Sequence, residues 1–293
     1  MVEKVLELKK KHRIAVAWAQ DLNTLGAVNN AVKAGFAEAF LIGKPDEIIR
    51  LCSENGINHR LFSIIEADND ADAASEAVRL TVAGDTDIVM KGLVGTDKFL
   101  KAVMDKERGI MIPGAVLSYV GAVEIPEYHK LLFITDMAVI PFPDLVQKKA
   151  MAGYAIEMAA KFGIERPRIA LISATEKMSR HFPSSADYAQ MLKMAENGEF
   201  GGCIMDGPLD VFLSCDKKSV DIKGINTPVD GDADILLFPS LESCNAFYKG
   251  LMLFAHGELA GLIRGTKKPV VLMSRSESEK SKYFCIALAC LMT

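Results

Sequence analysis

Short runs rich in Val and Ile recur along the chain, at residues 13–17, 39–42, 87–90, 130–135, 168–172, 202–205, 235–238, 259–263 and 269–273. A glycine-bearing turn and then a segment of helical spacing follow these runs, over 21–34, 70–83, 96–105, 144–162, 185–197, 245–255 and 278–291. Strands that read as continuous apolar runs are buried on both faces, and helices alternating with them are the crossovers of a parallel sheet. Several of the helical segments open with Asp, Ser or Thr, whose side chains accept hydrogen bonds from the free N–H groups of a first turn. The predicted fold class is therefore α/β, built on parallel sheet.

The chain has 293 residues, of which 50% are hydrophobic, enough for two lobes with filled cores. No linker composition or repeat marks a boundary. The segment Val139-Ile140-Pro141-Phe142-Pro143 fixes two φ angles between a strand and a long helix, and the expected division falls there. The expected lobes are 1–141 plus 265–293, and 142–264. With 25% charged residues and a net charge of −4 there is no global positive field, so nucleic acid is not an expected partner. Residues 1–13 lack the apolar core of a signal peptide, and the most apolar stretches, 131–140 and 284–292, fall short of the roughly 20 residues that span a bilayer. A soluble, cytoplasmic protein without membrane association is expected. Cys52, Cys203, Cys215, Cys244, Cys285 and Cys290 form no CxxC pair and read as reduced thiols. Cys244, in a segment that reads as a loop, is either a packed side chain or a group near a cleft.

In parallel sheets ligands collect beyond the carboxyl ends of strands, where helix N-termini favour anions. The segment Lys91-Gly92-Leu93-Val94-Gly95-Thr96 ends a strand with a cation and two glycines and opens a helix with Thr96 as its expected cap. It is an anion cradle or an ordinary flexible turn, and it lacks the order of a nucleotide P-loop. Ser274 and Arg275 place a hydroxyl and a guanidinium after the strand 269–273; together they suit a phosphate, or serve as a helix cap and a surface arginine. Ser118, in Leu117-Ser118-Tyr119, is a third candidate. Asp206 and Gly207, and Asp232 in Gly231-Asp232-Ala233-Asp234, put carboxylates beside glycine turns, where they orient a ligand or bond the backbone. Asn245 and Lys249 share one helical face, directed to a cleft or to solvent.

The histidines have no metal-ligand spacing, no GxSxG motif is present, and Ala15-Val16-Ala17-Trp18-Ala19-Gln20-Asp21 carries no GxGxxG fingerprint after the first strand. Zinc, hydrolase-triad and Rossmann dehydrogenase readings are therefore disfavoured, and no metal is expected.

The ordered motifs KGLVGTDKFLKAVMD at 91–105, LSYV at 117–120, LLFITDMA at 131–138, MDGPL at 205–209, GDADILLFP at 231–239, NAFYK at 245–249 and VVLMSR at 270–275 resemble the phosphate acetyl/butyryltransferase family, nearest its phosphate butyryltransferase branch. Each motif is common, but their order along nearly the whole chain is specific. The resemblance implies two parallel-sheet lobes of the isocitrate/isopropylmalate-dehydrogenase type with an active-site cleft between them, and a homodimer or larger homo-oligomer. It implies no cofactor and no metal, with acyl-CoA and inorganic phosphate as substrates. The reaction implied is acyl-CoA plus phosphate giving acyl phosphate plus coenzyme A, by direct attack in a ternary complex.

By the same resemblance, Ser274 and Arg275 match a Ser-Arg pair at the reacting phosphate and carbonyl. Lys91, Gly92, Thr96, Ser118, Asp206, Gly207, Asp232, Asn245 and Lys249 are expected substrate contacts. The acetyltransferase branch has an aspartate seven residues after the serine, where this chain has Ser281, which leaves the base for the thiol unassigned. Tyr119, Phe212 and Cys244 stand where the butyryl branch usually has His, Asp and Gly. Two rival functions are a metal- and nicotinamide-dependent hydroxyacid dehydrogenase on the same fold and a non-catalytic coenzyme A or acyl-phosphate binding protein.

Overall fold

The structure is a computed structural model that describes residues 1–274 and 277–293. Its strands are β1 (His12–Ala17), β2 (Ala37–Gly43), β3 (Ser63–Glu66), β4 (Ile88–Lys91), β5 (Ser118–Glu124), β6 (Leu132–Thr135), β7 (Arg168–Ile172), β8 (Ile204–Leu209), β9 (Ile235–Leu237), β10 (Glu258–Arg264) and β11 (Val270–Val271). The helices are α1 (Val2–Glu7), α2 (Leu22–Lys33), α3 (Pro45–Glu54), α4 (Asp70–Ala83), α5 (Thr96–Val103), α6 (Leu145–Lys161), α7 (Ser184–Glu196), α8 (Val211–Cys215), α9 (Lys217–Lys223), α10 (Leu241–Phe254) and α11 (Glu279–Leu291). Among the described residues no helix is long and apolar enough to cross a membrane.

The first compact unit comprises Met1–Leu117 and Ala260–Thr293. Its strand order is β3-β2-β1-β4-β11-β10, with β1 paired in parallel to both β2 and β4 and β11 parallel to β4. Among the strand pairs described in this unit only the β10–β11 hairpin is antiparallel, Ile263 facing Val270, and Met111 and Thr266 form an isolated antiparallel bridge. Ile14, Ala15, Val16 and Ala17 are all fully buried, as a central strand covered on both faces requires. The helices start where capping chemistry is available: Asp21 accepts from Thr24 N, and Asn69 accepts from Ala71 N and Asp72 N. Helix α4 ends at Gly84 in the left-handed conformation, φ 81°, which glycine adopts without a Cβ clash.

The second unit is Ser118–Leu259. Its order is β5-β6-β9-β7-β8, parallel except for the β5–β6 pair. Helix α6 opens with a reciprocal capping box between Asp144 and Gln147, and its buried Met151, Ala155 and Met158 join the core of Phe133, Leu171 and Tyr188.

The division of the chain differs from the expected one. The sequence boundary at 141/142 falls inside the second unit, because β5 pairs with β6 and β6 with β9, which ties residues 118–135 to that unit's sheet. Pro141 lies within the unit, its carbonyl accepting from Leu241 N at 3.0 Å. The return to the first unit comes at Ala260, ahead of the expected 265.

His12 opens β1 with 2% exposure, and neither ring nitrogen has a hydrogen-bond partner among the described residues. Burial, helped by Lys10, lowers its pKa, against an opposing pull from Asp87. The unfolded chain therefore binds a proton near pH 6.5 that the folded chain refuses, and stability falls as pH drops through that value. Asp87, held low by Arg13, loses its contribution only below the ordinary carboxylate range. Urea unfolding between pH 7.5 and 5 should show this loss, with a slope of at most about 1.4 kcal/mol per pH unit, and His12→Leu should flatten it.

Candidate functional site

In the first unit the sequence candidates gather at the carboxyl ends of β4 and β11. Lys91 is the last residue of β4 and is only 4% exposed. Its Nζ donates to Gly92 O at 3.2 Å and to Met273 O at 3.4 Å. Met273 follows β11, which runs parallel to β4 with Val271 beside Met90, so the sheet register itself brings Lys91 alongside the residue that precedes Ser274. Ser274 is exposed. Arg275 lies outside the described residues.

Gly92 cannot carry a side chain without displacing backbone. A Cβ there would stand 2.5 Å from Trp18 O and 2.7 Å from Ala17 O. The glycine lets Gly92 N and Leu93 N donate to Ala17 O and Trp18 O at 2.9 and 2.8 Å, extending the β1–β4 ladder beyond the strands. Helix α5 then begins at Thr96, which is exposed, and its N-cap is Gly95 with no side-chain cap bond. The expected capping role of Thr96 is thus corrected: Gly95 has the extended cap conformation, and Thr96 is already the first helical residue. Its first-turn N–H groups remain directed out of the helix start, where the helix dipole favours an anion.

Behind this strand-end rim, Lys282 of α11 is 3% exposed and bonds Asp21 Oδ2 at 2.7 Å and Thr24 Oγ1 at 3.3 Å. Burial raises the Asp21 carboxyl, but hydrogen bonds from Lys282 and Thr24 together bring it below its usual value. Ser281, which occupies the position of the missing aspartate, is buried in the first turn of α11, its N–H donating to the cap Ser278 Oγ at 3.0 Å.

In the second unit the candidates separate between the two ends of the sheet. Ser118 starts β5 and is fully buried, its hydroxyl donating to Asp136 Oδ2 at 3.0 Å. Asp136 also accepts from Tyr119 N at 3.0 Å, Ala138 N at 2.7 Å and Val139 N at 2.9 Å. Burial pushes its carboxyl up against the pull of these donors. Ser118 thus acts in the structure as a partner of Asp136 within the interior. Asn245, half-buried on α10, donates to Met137 O at 2.9 Å beside that loop, while Lys249 on the next turn is exposed. Cys244 is not in a loop: α10 starts at Leu241 behind the cap Ser240, and Cys244 is fully buried in its first turns. Burial, and then Asp136, raise its thiol well above the usual value. Tyr119 is buried, whereas Phe212 is 70% exposed on α8.

Asp232 lies at the opposite end of this sheet, before β9. Its carboxylate meets Lys130 at 2.8 Å, His129 at 3.0 Å and Arg168 at 3.6 Å, at the amino ends of β6 and β7. The expectation that it follows a strand is corrected: Asp232 precedes β9 and joins an ion network there. Asp206 also differs from expectation. It lies within β8, opposite Ala170, rather than in a turn after the strand, and its carboxylate accepts from Gly207 N at 2.8 Å. Gly207 is required by packing: at φ 157° a Cβ would stand 2.6 Å from Leu171 Cβ.

The buried group at Asp136 was missed from the sequence, although the ITD of LLFITDMA carried it; a lone aspartate after an apolar strand looks like any turn residue. Among the described residues no three His, Cys, Asp or Glu are grouped so as to hold a metal ion.

Comparison with known proteins bears on the whole chain. Residues 67–290 match the family described as phosphate acetyl/butaryl transferase. The phosphate butyryltransferase of Clostridium acetobutylicum is 38% identical over 292 residues, covering 99% of this chain and 97% of that protein. The phosphate acetyltransferase of Thermotoga maritima is 33% identical over 290 residues, 98% of each chain. The crystal structure of a branched-chain phosphotransacylase from Enterococcus faecalis V583 matches with a TM-score of 0.83 at 30% identity, covering 96% of this chain and 98% of that one. A 4-hydroxythreonine-4-phosphate dehydrogenase from Klebsiella pneumoniae, with a TM-score of 0.52 at 11% identity over 96% of this chain and 98% of that one, shares the fold alone. With a family match over three quarters of its residues and relatives aligned from end to end, the chain belongs to the phosphate acetyl/butaryl transferase family.

Proposed function

We propose that the protein moves a short acyl group between coenzyme A and inorganic phosphate, acyl-CoA plus phosphate giving acyl phosphate plus coenzyme A. The observation that carries this reading is the strand-end rim of the first unit. There the β4–β11 register holds Lys91 Nζ against Met273 O, one residue from Ser274, and the chain passes from Lys91 to the glycine-capped start of α5 within five residues.

The chemistry requires alignment and charge neutralisation more than a covalent nucleophile, since thioester and acyl phosphate are both activated. A phosphate oxygen attacks the thioester carbonyl, the new C–O bond forms, and the C–S bond breaks to release the thiolate. Lys91, the α5 N-terminus at Thr96 and Arg275 hold the phosphate, Gly92 allows the close turn, and Ser274 donates to the developing oxyanion. Asn245, with its carboxamide beside Met137 O, and the exposed Lys249 are the second unit's substrate contacts. Direct attack is supported by Cys244, the thiol beside Asn245, because burial keeps it protonated and a poor nucleophile. The dehydrogenase and non-catalytic readings are not favoured, as the relatives aligned over the full chain are named as acyltransferases.

Free thiol released from acetyl-, propionyl-, butyryl- and isobutyryl-CoA should depend on added phosphate. Release without phosphate, or none from any thioester, overturns the reading. Lys91→Met should raise the phosphate KM by about tenfold or more, with circular dichroism unchanged. Arg275→Lys keeps the charge and loses the planar two-donor fork, so kcat/KM should fall by about tenfold or more. Wild-type rates in Arg275→Lys and Arg275→Ala would remove Arg275 from the site.

A further inference from the structure

Gln20 follows β1 by three residues and is 7% exposed. Its Oε1 and Nε2 are both buried, and neither has a hydrogen-bond partner among the described residues. A buried carboxamide with neither end paired is disfavoured relative to an apolar side chain of the same shape, so its presence calls for a function. His12 and Asn29 also leave buried side-chain atoms unpaired, but His12 opens β1 and Asn29 lies within α2. Gln20 alone of the three stands at the carboxyl ends of the strands.

Its surroundings explain why no protein group satisfies it. Trp18, at φ 57°, turns the chain from the end of β4 towards the end of β2. Ala19 N then donates to Ile42 O at 3.0 Å, and Gly43 O accepts from Ala67 N at 3.0 Å. The nearby backbone groups are thus already paired with one another. The Gln20 carboxamide lies folded over Gly43, in space that a Cβ at that position would occupy. Gly92 and Leu93 bond the same β1 extension from the other side, so Gln20 and Lys91 belong to one strand-end rim.

We propose that Gln20 is a binding residue for the acyl carrier. Its carboxamide swings off Gly43 to donate to an acceptor and accept from an N–H on a neutral part of coenzyme A. Two parts of that molecule offer such groups, the secondary amides of the pantetheine arm and the edge of the adenine ring. The proposal rests on the acyltransfer reading for the identity of the ligand.

The test is calorimetric titration of the full chain with coenzyme A, with pantetheine alone, and with the adenine nucleotide half alone. Gln20→Leu should weaken coenzyme A by about tenfold and leave phosphate affinity unchanged. The loss should reappear with one fragment only, pantetheine or nucleotide, which identifies the partner group. The same substitution should raise the thermal midpoint of the ligand-free protein by about 2–4 °C, since it removes an unpaired buried amide; a purely structural glutamine would give a lower midpoint. Unchanged affinity for coenzyme A, a lowered midpoint, or a variant that does not fold each overturns the proposal. Titration does not depend on turnover: absence of phosphate-dependent thiol release in the wild type counts against the acyltransfer reading, while coenzyme A affinity still decides the role of Gln20.

Discussion

Two carbonyl oxygens at the end of β1 leave no room for a side chain on residue 92, and the strand-end rim depends on that restriction. With glycine there, β4 stays bonded to β1 for two residues beyond the strands, through Gly92 N and Leu93 N. The left-handed Trp18 belongs to the same arrangement: it aims its carbonyl at Leu93 N and still delivers Ala19 N to Ile42 O. A non-glycine residue in that region stores strain of order 1 kcal/mol, which persists because hydrogen bonds on both sides overdetermine it. Lys91 consequently leaves the sheet at a fixed height, with Met273 O in reach.

The second unit shows how one residue type diverges with its surroundings. Asp136 and Asp232 both flank strands of one sheet, yet they stand at opposite ends of it. Asp232 meets Lys130, Arg168 and the His129 ring at a partly open edge; partial burial raises its carboxyl, but Lys130 and His129 together bring it below its usual value. Among the described residues Asp136 is bonded by backbone N–H groups and the Ser118 hydroxyl, and burial outweighs them. The first is a surface network of modest energetic weight. The second is an internal anchor that fixes the start of β5 to the loop packed on α10, and truncating it would leave several donors unpaired.

These contrasts set what could be read from the sequence. Apolar runs such as 168–172 coincide with β7 because a strand buried on both faces is unmistakable in composition. Strand β5 was not foreseen, since SYVGAVE mixes a serine and a glycine into the run, and neither its antiparallel pairing nor the unit boundary before it has a local signature. Lys91, Gly92 and Ser274 were legible as strand-end residues because strand and helix signals bracket them. Asp206 and Asp232 were misread for one reason: a carboxylate beside glycine has the same local sequence whether it ends a strand, lies within one or precedes one. Only the direction of the strand decides which end of the sheet it occupies. Gln20 gave no signal, because lack of a partner is a property of three dimensions.

The Lys282–Asp21 pair bears on how the rim is kept in register. A buried ion pair contributes little net stability, because desolvation offsets the attraction, whereas loss of one partner is severe. Its effect is therefore to favour one alignment over its neighbours. Lys282 ties the first turns of α11 to the N-cap of α2, and Glu279 Oε1 accepts from Asn30 at 2.7 Å one turn earlier. On the other side of residues 275 and 276, Val270 and Val271 are bonded into the sheet beside β4. The short span between these two anchors contains Ser274 and Arg275. Both anchors lie outside that span, and each fixes its own element through interactions of the fold alone, one an ion pair and the other a strand pairing.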